Sequence, residues 1–177
     1  LTEEGRDEEA VFLFDFLKEF KDSAGVAYFR LGEIANRAGK VMKAKTYHTK
    51  AFEADPKLAQ KLLKEDHPVY HYEYKPVEDE ITVVHCPLCQ RRGVPYSCYN
   101  AITSIDFLAG FNPIRVWMYC ENCHHLFAHN YPRNLGEILA NSAFEFNMKV
   151  KTQWLPIIGG TIADLKKKAP GNRLLEV

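Results

Sequence analysis

Three features of the sequence predict an α+β fold. Apolar residues recur at helical spacing up to about residue 65. Short β-prone runs flank two Cys-x2-Cys pairs in the middle of the chain. Helical periodicity then returns after residue 134, ahead of an apolar run at the C-terminus. The expected organisation is a helical block over residues 1–68, an antiparallel cysteine-bearing module over 69–133, and a helix leading into a strand over 134–177.

Composition bounds the function classes. At 177 residues, 46% hydrophobic and 12% aromatic, the chain is long enough and apolar enough to bury an ordinary core. Formal net charge is 0, so no global field draws it to nucleic acid or to an anionic membrane, although a local basic face is compatible with that balance. No apolar run reaches the length of a membrane span, and the acidic start is not a signal peptide. Of the five cysteines, Cys86, Cys89, Cys120 and Cys123 form the two close pairs and Cys98 stands alone. That pattern fits a reducing, cytoplasmic compartment better than a disulfide framework, which is the competing reading.

The first helix is expected over residues 8–21. Ala10, Leu13, Phe14 and Leu17 share one face, and Phe12, Phe16 and Phe20 form a second stripe four residues apart. A helix this broadly apolar calls for cover on more than one side. Asp22-Ser23-Ala24-Gly25 reads as its stop and turn.

Tyr28, Leu31, Gly32 and Ala35, followed by Gly39, Ala44, His48, Ala51 and Pro56, set two helices at a fixed register. Gly32 and Ala44 are small where the helices press together, Gly39 permits the turn, and Pro56 opens another helix capped by Asp55 and running to about Glu65. Over residues 25–58 this spacing resembles one tetratricopeptide repeat, with Ala35 and His48 where larger aromatic residues are usual. A single repeat does not bury its own faces. The helices around it would therefore complete a short block, with a groove over residues 26–51 that could dock a protein substrate or partner. His48 reads as a core or groove residue.

His67-Pro68 ends the helical part. Val69–Tyr74 alternates, placing Tyr70, Tyr72 and Tyr74 on one face of a strand, and Ile81–His85 forms a second strand. That strand delivers the chain into Cys86-Pro87-Leu88-Cys89. Residues 94–105 read as a strand followed by a loop, Ile114–Tyr119 as the strand entering Cys120-Glu121-Asn122-Cys123, and Leu126-Phe127 as the strand leaving it. Each pair places two sulfurs on one side of a tight turn, and two such turns facing one another close a tetrahedral site. Four thiolates suit zinc in a structural role, with no position left for water. His85, His124, His125 and His129 lie close enough in sequence to compete, and a three-cysteine, one-histidine site is chemically acceptable. The His-x-Glu signature of the zinc deaminases is absent. Through its two knuckles this region resembles the zinc-ribbon family.

Beyond the knuckles, Asn134–Ala140 reads as a helix. Phe144–Val150 fits a strand or a helix extension equally, and a helix is expected from Thr152 to Lys168, its last turn rich in lysine. The helix, the Pro170-Gly171-Asn172 turn and Arg173-Leu174-Leu175-Glu176-Val177 resemble the entry to a class I S-adenosylmethionine-dependent methyltransferase. That resemblance implies a Rossmann-like strand ending at an acidic residue and a glycine-rich turn beyond Val177. The cofactor would then belong only to a domain that follows.

Taken together, these readings lead to the expectation of a non-catalytic zinc-binding module of a larger enzyme, serving substrate recognition or positioning. No catalytic and no S-adenosylmethionine-binding residue is assigned in residues 1–177. Two alternatives remain. One is a nucleic-acid-binding ribbon using Arg91, Arg92, Arg115, Tyr96, Tyr99 and Trp117; the other is an adaptor acting through the helical block.

Overall fold

A computed structural model of the chain describes residues 7–77, 79–103, 111–138 and 140. The chain divides into two compact units, Leu1–Arg133 and Asn134–Val177, and residues 68 and 69 both lie within the first. The architecture is α+β, with helices in the N-terminal part and antiparallel sheets after them.

Four helices come first: α1 (Asp7–Leu17), α2 (Lys21–Arg37), α3 (Val41–Ala54) and the single turn α4 (Ala59–Leu62). The expected stop at Asp22–Gly25 is not where the chain turns. The break falls three residues earlier, where the Ser23 hydroxyl donates to the Leu17 carbonyl at 2.8 Å, and Gly25 is buried inside α2. The glycine serves close packing rather than a turn, since a Cβ there would lie 2.7 Å from Asp55 Cβ. The apolar breadth of α1 is also not covered as expected. Among its described residues only Ala10 is buried, while Phe12 is 81% exposed and Phe16 59%.

Helices α2 and α3 form an antiparallel hairpin. Gly25 faces Asp55 near one end and Gly32 faces His48 further along, so contact positions climb one helix as they descend the other. The turn between them is made at Gly39, whose φ of +71° is open to glycine and strained for other residues. Alanines 44 and 51 are fully buried at the seam. Asp55 caps the next turn as expected, its carboxylate accepting the Lys57 amide at 3.1 Å, but the helix expected from Pro56 to Glu65 shrinks to α4, its start bonded three residues apart from the Leu58 amide to the Asp55 carbonyl at 3.0 Å.

Residues 69–74 are not a strand. Tyr72 and Tyr74 instead leave an extended segment to cover α3: Tyr74 stacks on Phe52 at 4.9 Å and Tyr72 meets the same ring edge-on. The Tyr74 amide donates to the Pro56 carbonyl at 2.8 Å, which pins the segment. Alternation was satisfied by a helix surface rather than by a neighbouring strand.

Among the described residues five strands follow: β1 (Glu80–Thr82), β2 (Val94–Asn100), β3 (Ile114–Tyr119), β4 (Leu126–Ala128) and β5 (Asn130–Pro132). Strands β2, β3 and β4 make one antiparallel sheet in chain order, and β1 pairs with β5 in another. The strand expected at Ile81–His85 thus stops at Thr82. A short 3-10 turn, Ala101–Thr103, closes β2.

Pairing assigns the faces of the larger sheet. Pro95 with Met118, Cys98 with Val116 and Asn100 with Ile114 form one face, and the two partners of a cross-strand pair point the same way. Cys98, Ile114, Val116 and Met118 on that face are buried in a single core with Phe29 and Phe52 of the helices and Leu58 just before α4, while Pro95 at the end of the sheet is exposed. The Cys98 amide donates to the Asn36 side-chain carbonyl at 2.7 Å, tying β2 to α2. Phe52 is wholly buried here, and truncating such a ring typically costs about 3–5 kcal/mol. In the second unit, residues 135–138 and 140 are helical, with the Asn134 carbonyl accepting the Glu137 and Ile138 amides. The elements expected at 144–150, 152–168 and 169–177 lie outside the described residues.

Candidate metal centre

The two cysteine turns have the same backbone design. In the first, the Gln90 amide donates to the Cys86 carbonyl at 2.9 Å and the Cys86 amide to the Arg91 carbonyl at 2.8 Å. In the second, the His124 amide donates to the Cys120 carbonyl at 2.8 Å and the Cys120 amide to the His125 carbonyl at 2.9 Å. The residue after each second cysteine is left-handed, Gln90 at φ 60° and His124 at φ 58°. Neither is glycine, so both turns hold a backbone conformation uncommon for their residue types.

Strands aim these turns at one another. The first turn closes through the His85–Arg92 bridge and through the Gly93 amide, which donates to the Val84 carbonyl at 2.9 Å. Strand β3 runs directly into Cys120, and β4 begins just after the second turn. Because β2 and β3 are neighbours, the two turns emerge at the same end of the sheet, where Val94 pairs with Tyr119.

All four sulfurs lie within 4.8 Å of one another. Cys86 Sγ is 3.5 Å from Cys123 Sγ, and Cys89 Sγ is 3.4 Å from Cys120 Sγ. These shortest contacts join one turn to the other, and all four thiols are free. Cys86 and Cys120 are buried, Cys89 is half-buried, and Cys123 stands at the solvent edge. The four cysteines are thereby positioned to hold a metal ion.

Backbone donors tune the sulfurs unequally. The Arg91 amide, aimed at Cys89, is the main cause holding that thiol down at about 6, with the neighbouring cysteines assisting. Cys123 is pushed up to about 12, first by desolvation and then by Cys89 and Cys86, against the opposing contact of the His125 amide. Four thiolates this close repel one another. A divalent ion at their centre removes that obstacle.

The competing histidines are engaged elsewhere. His124 Nδ1 is 2.6 Å from the Tyr119 hydroxyl, His125 stacks on Phe127 at 6.2 Å, His129 Nδ1 lies 3.1 Å from the Val83 carbonyl, and His85 is exposed beside its Arg92 bridge. Cys98 is buried in the core and lies outside the cluster. Burial pushes its thiol up to about 12.

The chain matches no known protein family, and no curated protein or solved structure is significantly similar to it.

Sequence reasoning missed two features around the site. The first is an open cleft of about 500 Å³ beside the first turn, bordered by Val83, His85, Gln90, Phe127 and Tyr131. It arises from β1 pairing with β5, a contact across fifty residues that no local pattern announces. The second is a polar knot at the base of that pairing. The Asn130 amide donates to both Glu80 carboxylate oxygens at 3.0 Å, and the Asn112 amide donates to one of them at 3.1 Å. Among the described residues no helix is long and apolar enough to cross a membrane.

Proposed function

We propose that this chain is a zinc-binding, non-catalytic recognition module of a larger cytoplasmic enzyme. The observation that carries the metal reading is the clustering of four sulfurs within 4.8 Å. Tetrahedral zinc–sulfur bonds of about 2.3 Å place the sulfurs about 3.8 Å apart, so the two shortest contacts, at 3.5 and 3.4 Å, need only widen slightly to accept the ion. Four thiolates fill the coordination sphere and leave no position for a substrate or an activated water, which favours an architectural role over hydrolysis.

The parent activity in this reading is S-adenosylmethionine-dependent methyl transfer, supported by the resemblance of residues 169–177 to the entry of that fold. The zinc ribbon and the tetratricopeptide-like hairpin then position the substrate for a catalytic domain. Elemental analysis should return close to one zinc per chain. The isolated chain should neither transfer methyl groups nor bind S-adenosylmethionine tightly, and a micromolar dissociation constant by calorimetry would refute that point. In the larger enzyme, deleting residues 1–128 should lower methylation of its substrate.

A further inference from the structure

The face of the β2–β3–β4 sheet turned away from the helices carries side chains that the metal centre does not use. Cross-strand pairing puts Tyr99 beside Arg115, Ser97 beside Trp117 and Trp117 beside Ala128, with Tyr119 between Val94 and Leu126. An irregularity between Pro95 and Ser97 turns Tyr96 onto the same face, where its ring lies 6.0 Å from that of Tyr119. Tyr96 is 62% exposed and Tyr99 43%, while Trp117 and Tyr119 are half-buried. The Arg115 guanidinium lies over the Phe111 ring, 4.4 Å from its centroid, adding a cation to the aromatic groups.

Among the described residues, the strands of this face contribute Arg115 and no acids of their own. Glu80 acts on Arg115 electrostatically, and its carboxylate also accepts the Asn112 and Asn130 side-chain amides. Gly93 points inward at Phe127, so Arg92 and Val94 on either side of it point outward. Arg91 and Arg92 are both exposed at this approach to β2. Aromatic planes for stacking with cations at the margin are what a single strand of nucleic acid requires, since any base can stack on a ring and each phosphate is an anion.

We propose that this sheet face binds single-stranded nucleic acid, with bases stacking on Tyr96, Tyr99 and Trp117 and phosphates drawn to Arg92 and Arg115. The inference goes beyond the enzyme-module reading and stands on the sheet face alone. With so few cations, the strand is held mainly by stacking. Affinity should fall with salt at a log–log slope of only about −1 to −2.

The test is fluorescence anisotropy of a labelled twelve-nucleotide polyuridine and the matching polythymidine, titrated with the zinc-loaded chain at several salt concentrations. A duplex of the same length is the control. Quenching of Trp117 provides a second readout in a Trp154→Phe background. Single strands should bind, the duplex at least about tenfold more weakly, and Tyr96→Ala and Tyr99→Ala should each weaken the single strand by about tenfold. Because both tyrosines are exposed, these variants should keep wild-type zinc content and circular dichroism. No binding at low salt, equal binding of duplex, or indifference to both tyrosine substitutions would overturn the proposal. So would saturation of this face by a protein partner with no oligonucleotide affinity.

Discussion

The imidazole of His48 packs directly against Gly32. A Cβ on that glycine would fall 2.6 Å from the ring. The ring cannot swing away, because His48 is only 2% exposed and Phe29 packs against it at 5.5 Å. In most helices Gly→Ala stabilises by roughly 0.5–1 kcal/mol through backbone entropy. Here overpacking should win, and Gly32→Ala is expected to destabilise the chain by about 1–3 kcal/mol in urea unfolding. Pairing it with His48→Ala should recover part of that loss. An unchanged midpoint would show that the contact is slack.

The same burial makes His48 an acid-sensitive element. Desolvation lowers its pKa to about 4 from 6.5. The unfolded chain takes up this proton near pH 6.5, and the folded chain does so only near pH 4. Stability is therefore lost as pH falls through that window, by on the order of 3 kcal/mol in all. Any metal held by the cysteines would also be released in acid, in wild type and variant alike, so the informative quantity is the difference. His48→Gln should flatten the pH dependence between 6.5 and 4, and parallel curves would sink the assignment.

Gly39 isolates a backbone effect. Nothing lies within 4 Å of where its Cβ would be, so any cost of substitution comes from the left-handed φ of +71°. Gly39→Ala should cost about 1–2 kcal/mol and Gly39→Asn less, read from the same unfolding curves.

Removing the metal should act locally and strongly. Cys120→Ser, at a buried position between β3 and its turn, should abolish stoichiometric zinc binding. Chelation should speed amide hydrogen exchange over residues 81–128 while leaving α2 and α3 protected. Uniform exchange before and after chelation would separate the four cysteines from the fold.

Cys98 offers a contrast within one chain. Buried among core residues and held neutral at ordinary pH, it should resist thiol reagents in the folded protein even after chelation. The other cysteines should then label readily. Early modification of Cys98, followed by mass spectrometry of the peptide spanning it, would show that the core opens with the metal site.

What could be read from the residues was mostly local. The hairpin at Gly39, the small residues along the seam of α2 and α3, the strand at Ile114–Tyr119 and the four cysteines all follow from short-range spacing. Sequence fails where one segment can satisfy its pattern in two ways. The alternation of Tyr70, Tyr72 and Tyr74 fits a strand, yet Phe52 offered two of those rings a helix surface to cover. Gly25 suggests a turn by its residue type, yet its neighbour across the hairpin is Asp55, thirty positions on, and only the fold reveals that closeness.

By itself, then, the sequence determined that the chain would be α+β and which four thiols would converge, because a two-residue gap dictates where paired sulfurs point. Only the tertiary structure decided that β1 would leave the first cysteine turn and pair with β5. It likewise decided that the sheet would bury one face against α2 and α3 and leave tyrosines, a tryptophan and an arginine on the other. Those outcomes depend on contacts between distant residues, and loop-closure entropy and core packing select among pairings that local preference leaves equal.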